Sequence, residues 1–360
     1  FEAHVLWLKT PKCFPDAAQA AKGAAAVVSP DTYTSHEVWA RSLYTGFLGF
    51  RGSLKKVICQ VSPEVIFFIR PELGFLVPLA KTVQNSVLGK GAGRTLMFVH
   101  DTFAETLYPG SLKFFLLNRF YIKPCVKADG FVYNSCWTRE EAAKYFGPKM
   151  SKAPGSVVGC PIDQELFNKP SEPVSADKKK AFRRKYGIRN FEGMCINVSL
   201  DEPRKNLATY LELARLRPDI AFVRVGKFSE RLREIVNAKK LYNVFHFDRF
   251  NAEELRDFYR HADLMVYPSL LEGFGLPPIE AIACGTPALC AATSAVKENL
   301  QGVVPLIDSP TAAQAFVEVI DRVMAGEHVV DDSAAKRLLE NCSMKSFKER
   351  VLLFLGPDLD

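Results

Sequence analysis

The chain has 360 residues, 24% of them charged and 48% apolar. That length can bury one large core or two ordinary ones, and the composition is that of a globular protein, without the run of about eighteen uncharged apolar residues that a spanning helix needs. The net charge of +7 favours anionic partners, such as nucleotide diphosphates or acidic membrane surfaces.

Apolar runs alternate with helical patterns, which predicts parallel sheets joined by crossover helices. In the first half the predicted strands are Val5–Leu8, Ala26–Ser29, Val65–Ile69, Thr95–Val99 and Gly130–Tyr133. Helices are predicted over Glu37–Gly49, Leu73–Val87, Leu112–Cys125 and Thr138–Tyr145. Thr138 and Glu141 have the spacing of a capping box. The stretch from Asn168 to Ser175, rich in Pro and Ser, reads as a linker. The domains are therefore expected at 1–168 and 169–345, with a closing helical segment at 346–360.

Beyond the linker, the basic run Lys178–Lys185 predicts a solvated helix. Strands follow at Met194–Val198, Ala221–Val225, Val244–Phe247, Leu264–Tyr267 and Ala288–Cys290, with a short one at Val303–Leu306. Helices are expected at Leu207–Leu216, Ser229–Ala238, Ala252–Arg260, Thr311–Ala325 and Ser346–Leu353. The fold class is thus α/β, with two Rossmann-like domains, and a cleft between such halves is a common ligand site.

The nine cysteines are scattered, odd in number and free of C-x-x-C spacing, which argues for reduced thiols and against a zinc site. No nucleic-acid module accompanies the basic run. The segment Gly89–Arg94 lacks phosphate-loop spacing and precedes a strand, so it reads as a connection.

Two carboxylates, Glu272 and Glu280, bracket Gly273-Phe274-Gly275-Leu276-Pro277-Pro278-Ile279. An apolar strand pattern precedes them and a helical pattern follows. Such a junction gathers free N–H groups at a positive helix end, where a phosphate binds. Pro277 and Pro278 suit a first helical turn, and Gly285 and Pro287 stop the helix. Glu280 is expected in the first turn, accepting hydrogen bonds from ribose hydroxyls. Glu272 is expected at the strand's carboxyl end, orienting a reacting sugar. As an isolated pattern, the pair would read as two solvated surface acids; the surrounding glycines, prolines and periodicity favour a site.

With Tyr267 to Ala281 and Ala283 to Pro287 in view, the chain resembles the retaining glycosyltransferases of family four, known also as glycosyl transferases group 1, which have the GT-B fold. Asp201-Glu202-Pro203-Arg204-Lys205-Asn206 is similar to that family's donor-phosphate segment, and Phe222-Val223-Arg224-Val225-Gly226 to its next strand and turn. The resemblance implies that Lys205 clamps the diphosphate and that Gly226 admits the nucleotide. Gly273, Phe274, Gly275 and Leu276 would line the phosphate mouth. His100 would meet the transferred sugar, with Asp101 orienting His100 or an acceptor hydroxyl; the bland alternative is a histidine satisfied by a backbone group. It also implies that the last helix packs back toward the first domain.

Two departures stand out. Val198-Ser199 occupies the place of the family's Gly-Arg pair, so Ser199 stands where an arginine would contact the diphosphate, and Arg204 is expected to point elsewhere. The chain starts at Phe1, and its first run reads like a second strand, as if the opening strand of the domain were missing.

The implied reaction moves a sugar from a UDP- or GDP-linked donor to a hydroxyl on a glycan, lipid or small molecule, with retention at the anomeric carbon. No tightly bound cofactor, no metal and no nucleic acid are expected. The expected location is cytoplasmic, with peripheral membrane contact left open because no amphipathic anchor stands out. Two other readings stay open: an impaired, scaffold-type relative without turnover, and another GT-B chemistry such as nucleotide-sugar epimerisation.

Overall fold

The structure, a computed structural model, describes residues 3–9, 33–39, 47–101 and 112–356. The contacts divide it into two compact units: residues 1–134, 138–158 and 348–360 form the first, and 135–137 and 159–347 the second. The boundary expected at residue 168 falls ten residues inside the second unit, whose stretch of chain resumes at Gly159.

In the first unit, β1 (Ala3–Lys9) and β2 (Tyr33–Trp39) form a parallel pair. Helix α1 (Phe47–Val61) follows. The helix expected from Glu37 is displaced, since Glu37 to Trp39 complete β2; the strand expected at Ala26–Ser29 lies outside the described residues. A parallel sheet then forms in the order β3 (Val65–Phe68), β4 (Arg94–Val99), β5 (Gly130–Tyr133) and β6 (Gly155–Val157). Between its strands run α2 (Val77–Leu88), α3 (Leu112–Leu117), α4 (Cys136–Phe146) and α5 (Pro148–Lys152). The single helix expected over Leu112–Cys125 is instead α3, a π-turn at Asn118–Ile122 and a 3-10 turn at Lys123–Lys127. Pro124 denies that stretch an amide donor. The core packs Met97, Val99 and Phe131 against Leu76, Val77 and Ala80.

The expected capping box at Thr138 does not form. Helix α4 begins two residues earlier, so Thr138 is inside its first turn, buried, with its hydroxyl 3.5 Å from the His100 carbonyl oxygen. Glu141 pairs with Lys144 instead.

The second unit is a six-stranded parallel sheet. In chain order it has α6 (Ala176–Lys185), β7 (Gly193–Val198), α7 (Leu207–Leu216), β8 (Ile220–Val225), α8 (Glu230–Ala238) and β9 (Val244–Phe247). Then come α9 (Ala252–His261), β10 (Leu264–Tyr267), α10 (Leu276–Ala283), β11 (Ala288–Ala291), α11 (Ser294–Leu300) and β12 (Leu306–Ile307). Helices α12 (Ala313–Met324), α13 (Asp332–Asn341) and α14 (Met344–Leu355) close the chain. The spatial order is β9-β8-β7-β10-β11-β12, a doubly wound arrangement. Every residue of β8, β10 and β11 is buried, which is why these strands read as unbroken apolar runs rather than alternating ones.

Local signals set the helix starts. Asn251 and Glu254 form a reciprocal capping box on α9, at 2.8 and 2.9 Å. The basic helix α6 is not merely solvated. Lys179 reaches Asp263 at 2.8 Å, and Arg183, 5% exposed, pairs with the same carboxylate, which also accepts from the Met194 amide at 2.8 Å. Two members of the charge run thus anchor α6 to the start of the central strand. At the chain's end, residues 348–356 belong with the first unit, where Arg350 Nε donates to the Val158 carbonyl at 2.8 Å.

Candidate active site at the switch point of the six-stranded sheet

Strands β7 and β10 are neighbours, and the strand order reverses between them. Open α/β sheets bind ligands outside the carboxyl ends of their strands at such a point. The two loops that leave there carry the charged residues singled out in the sequence.

The loop after β7 makes a 3-10 turn at Pro203–Lys205 and ends on Asn206, whose backbone is left-handed at φ 50°. Asparagine tolerates that conformation better than most residues. Its side-chain amide donates to the carbonyls of Pro268 at 3.0 Å and Pro310 at 2.7 Å, fixing this loop to the one after β10. The Leu270 amide donates to the Arg204 carbonyl at 2.7 Å.

The loop after β10 is fastened from its other side. The Glu272 amide donates to Ser294 Oγ at 2.8 Å, Thr293 Oγ1 to the Ser269 carbonyl at 2.7 Å, and Asn299 Nδ2 to the Phe274 carbonyl at 2.8 Å. The Glu272 side chain is thereby delivered, 5% exposed, between two cations. Oε1 accepts from Lys205 Nζ at 2.6 Å, and Oε2 accepts from Arg204 Nη1 at 2.9 Å. Lys205 Nζ also donates to the Tyr267 hydroxyl at 3.1 Å and lies 5.4 Å from that ring's centre. Arg204 Nε binds Glu202 at 2.7 Å, and Nη1 the Leu271 carbonyl at 3.2 Å. Burial pulls the Lys205 ammonium below the ordinary lysine range, and the charge of Glu272 opposes that shift. The Tyr267 hydroxyl is held well above its ordinary value, chiefly by burial and then by Glu272.

Arg204 therefore does not point elsewhere. The turn is short, and both adjacent side chains converge on one carboxylate. The expectation that adjacent residues on a helix or turn diverge fails, because the single 3-10 turn at Pro203–Lys205 lets both side chains reach the loop after β10. Glu272 is correspondingly committed to a buried lysine and a half-buried arginine before any sugar is considered.

Gly275 is the N-cap of α10, left-handed at φ 93°, and Pro277 and Pro278 fill the next turn. The Gly273 carbonyl accepts from Ser135 Oγ at 2.9 Å. The Phe274 side chain is buried in the core of the unit, and Leu276 packs against the same core, so these two present backbone rather than side chain at the mouth. Glu280 is the fifth residue of α10 rather than a member of its first turn. Its Oε2 accepts from the Tyr259 hydroxyl at 3.0 Å, and burial raises its carboxyl to about 7 against that hydrogen bond.

At Ser199 a guanidinium from the neighbouring strand is bound to the backbone. Ser199 Oγ donates to Asn197 Oδ1 at 2.9 Å, while its carbonyl accepts from Arg224 Nη2 at 2.6 Å. Arg224 is 1% exposed, and burial lowers its guanidinium to about 10, still a cation at neutral pH. Gly226 has φ 123°, and a Cβ there would stand 2.1 Å from the Ser199 carbonyl oxygen. The glycine is thus required by the protein's own backbone. Arg204, Arg224, Tyr259 and Ser294 are the contributors that sequence reasoning missed; only Arg204 carried a signal, its adjacency to Lys205.

In the first unit, His100 follows β4 directly. Its Nε2 is 2.9 Å from the Ile69 carbonyl, which fixes that nitrogen as the donor, and its ring meets Phe98 edge-on at 4.1 Å. Burial lowers its pKa to about 4. The His100 carbonyl accepts from Asn134 Nδ2 at 2.7 Å. Asp101 is exposed beside it. Among the described residues no cluster of three or more His, Cys, Asp or Glu is placed to hold a metal ion.

Residues 178–350 match the family described as glycosyl transferases group 1. A D-inositol 3-phosphate glycosyltransferase of Segniliparus rotundus is 26% identical over 309 residues, covering 82% of this chain and 61% of that protein. The serotype-specific mannosyltransferase WbdA of Escherichia coli is 26% identical over 180 residues, 46% of this chain and 22% of that protein. The chain thus spans less than two thirds of the curated relatives it matches. Among solved structures, Anabaena Alr3699/HepE in complex with UDP and glucose superposes with a TM-score of 0.72, at 15% identity, covering 98% of this chain and 99% of that one. That likeness shows the shared GT-B fold. By sequence, residues 178–350 match the glycosyl transferases group 1 family, and the chain as a whole has the GT-B fold.

Proposed function

We propose that the protein is a retaining glycosyltransferase that takes a hexose from a nucleoside-diphosphate donor and gives it to an acceptor hydroxyl. The observation that carries this reading is the convergence of Lys205 and Arg204 on the Glu272 carboxylate at the point where the strand order reverses. A buried carboxylate shared by the two cations holds them side by side and oriented. Positioned cations beside a helix N-terminus suit a departing diphosphate.

In this reading the glycosyl C–O bond to the donor phosphate breaks, and the leaving oxygens gain negative charge that Lys205 and Arg204 stabilise. The acceptor oxygen bonds to the anomeric carbon from the same side, and its proton passes to the departing phosphate. Glu272 is then chiefly a positioning residue for the two cations and, through them, for the sugar. Glu280 accepts from the ribose hydroxyls, Tyr259 sharing its carboxylate. Gly275 and Leu276 supply amide donors, since Pro277 and Pro278 have none. For His100, the Ile69 bond leaves Nδ1 as an acceptor, so the histidine would orient a sugar hydroxyl by accepting a hydrogen bond from it. Asp101 keeps its proposed part beside it. The bound UDP and glucose of the Anabaena protein support a nucleotide-sugar donor.

The scaffold reading draws on one observation, Val198-Ser199 in place of Gly-Arg. Calorimetry with UDP and GDP, followed by product analysis with UDP- and GDP-hexoses, separates the two. Transfer is expected to give a product with the donor's anomeric configuration by NMR. Nucleotide binding without any product would favour the scaffold, and binding of neither nucleotide would defeat the enzyme reading.

A further inference from the structure

The first unit has a cavity of about 740 Å³ that the donor reading does not use. Arg51, Arg119, Lys123 and Lys127 line it together with Phe75 and Phe120, and no lining residue is acidic. All four cations are exposed, and among the described residues none is paired with a carboxylate. Like charges gathered round one cavity repel each other until an anion joins them.

An apolar stripe adjoins the cavity. Leu112, Phe115 and Leu116 stand at i, i+3 and i+4 of α3, so they share a face, and they are 71%, 62% and 44% exposed. Phe120, 59% exposed, lies in the following π-turn and belongs to both the stripe and the cavity wall. The Arg119 guanidinium carbon is 5.8 Å from the centre of its ring. Large apolar side chains exposed together mark an interaction surface.

Charge complementarity selects the occupant. A small anion would neutralise the cations and leave the apolar stripe in water. An apolar protein surface would cover the stripe and desolvate the cations without partners. An anionic bilayer meets both demands, with headgroup phosphates at the cations and the acyl boundary at the apolar side chains. No described helix is long and apolar enough to cross a membrane. We propose that the segment from Leu112 to Lys127, with Arg51, is a membrane-docking surface that seats the first unit on an anionic lipid bilayer. The anchor was not visible in the sequence because the helical period breaks at the π-turn.

Sedimentation of the full chain with lipid vesicles tests this, with no nucleotide present, so the outcome is independent of the donor reading. The chain is expected to sediment with phosphatidylcholine vesicles that contain phosphatidylglycerol, to stay in solution with phosphatidylcholine alone, and to be released by high salt. Arg119→Glu with Lys123→Glu, and Phe115→Ser with Phe120→Ser, should each cut the bound fraction about tenfold while leaving the melting temperature near the parent's. Should the aromatic pair unfold the protein, the exposed charge pair reads the same contact. No sedimentation with the anionic vesicles, as a protein partner at this face would give, overturns the proposal. So does undiminished binding of the charge-reversed variant.

Discussion

The two units each carry a notable side chain at the carboxyl end of a central strand, and the two are held in opposite ways. After β10, Glu272 is bound side chain to side chain, by Lys205 and Arg204 from the neighbouring strand's loop. After β4, His100 is bound side chain to backbone, by the carbonyl of Ile69, the residue that follows the adjacent strand β3. Burying a charged triad demands that each member compensate the others, so the loss of one is felt by all. Burying a neutral imidazole demands only one hydrogen bond and a dry neighbour such as Phe98. The first arrangement holds two cations on one carboxylate; the second keeps a ring neutral at physiological pH.

Glu272→Ala would probe this contrast hardest. It leaves buried Lys205 without its carboxylate and Arg204 still paired with Glu202, and should cost about 3–5 kcal/mol in urea unfolding. Glu272→Gln should lower turnover roughly a hundredfold on the proposed reading, with weaker UDP binding as well, since Lys205 and Arg204 lose their anchor. A variant as stable as the parent would break the account of the triad. Next comes Gly226→Ala, where the added methyl meets the Ser199 carbonyl and the left-handed φ disfavours any side chain. A loss of about 2–4 kcal/mol is expected by the same measurement. His100→Ala should cost less, about 1–3 kcal/mol, because one carbonyl loses its partner. If it cost as much as Glu272→Ala, the two strand ends would not differ as described.

The smallest effects are in pH dependence, and they have opposite signs. His100 titrates near 4 in the folded protein and near 6.5 when unfolded, so the unfolded chain binds the extra proton. That stability is complete above about 6.5 and is lost as pH falls toward 4. Glu280 titrates near 7 when folded and near 4.5 when unfolded, so the folded chain keeps the proton. That stability is complete below about 4.5 and is lost as pH rises through 7. In the parent the two slopes partly cancel. His100→Asn should leave stability falling with rising pH, and Glu280→Gln should leave it rising, each by about 1–2 kcal/mol after allowance for solvent access. Unfolding curves between pH 4 and 8 check this; parallel curves for both variants would remove the distinction.

Amino-acid sequence alone determined the α/β class, the first five strands of the second unit and the place of the signature; the sixth strand, expected at Val303–Leu306, lies at Leu306–Ile307. Strands such as Val244–Phe247 and Leu264–Tyr267 were legible to the residue, because β-branched and apolar runs between turn residues leave few other conformations. The start of the first unit was not, since Glu37 to Trp39 favour no single state by themselves and the pairing with β1 decided them. The partners of the site were likewise beyond the sequence. Tyr259 on Glu280, Arg224 on Ser199, and Arg204 on Glu272 each depend on which strands the sheet places side by side and on where a short turn aims a guanidinium. Periodicity reports which face of an element is buried; only the tertiary fold decides which charges share that burial, because electrostatic compensation acts through space between residues far apart in the chain.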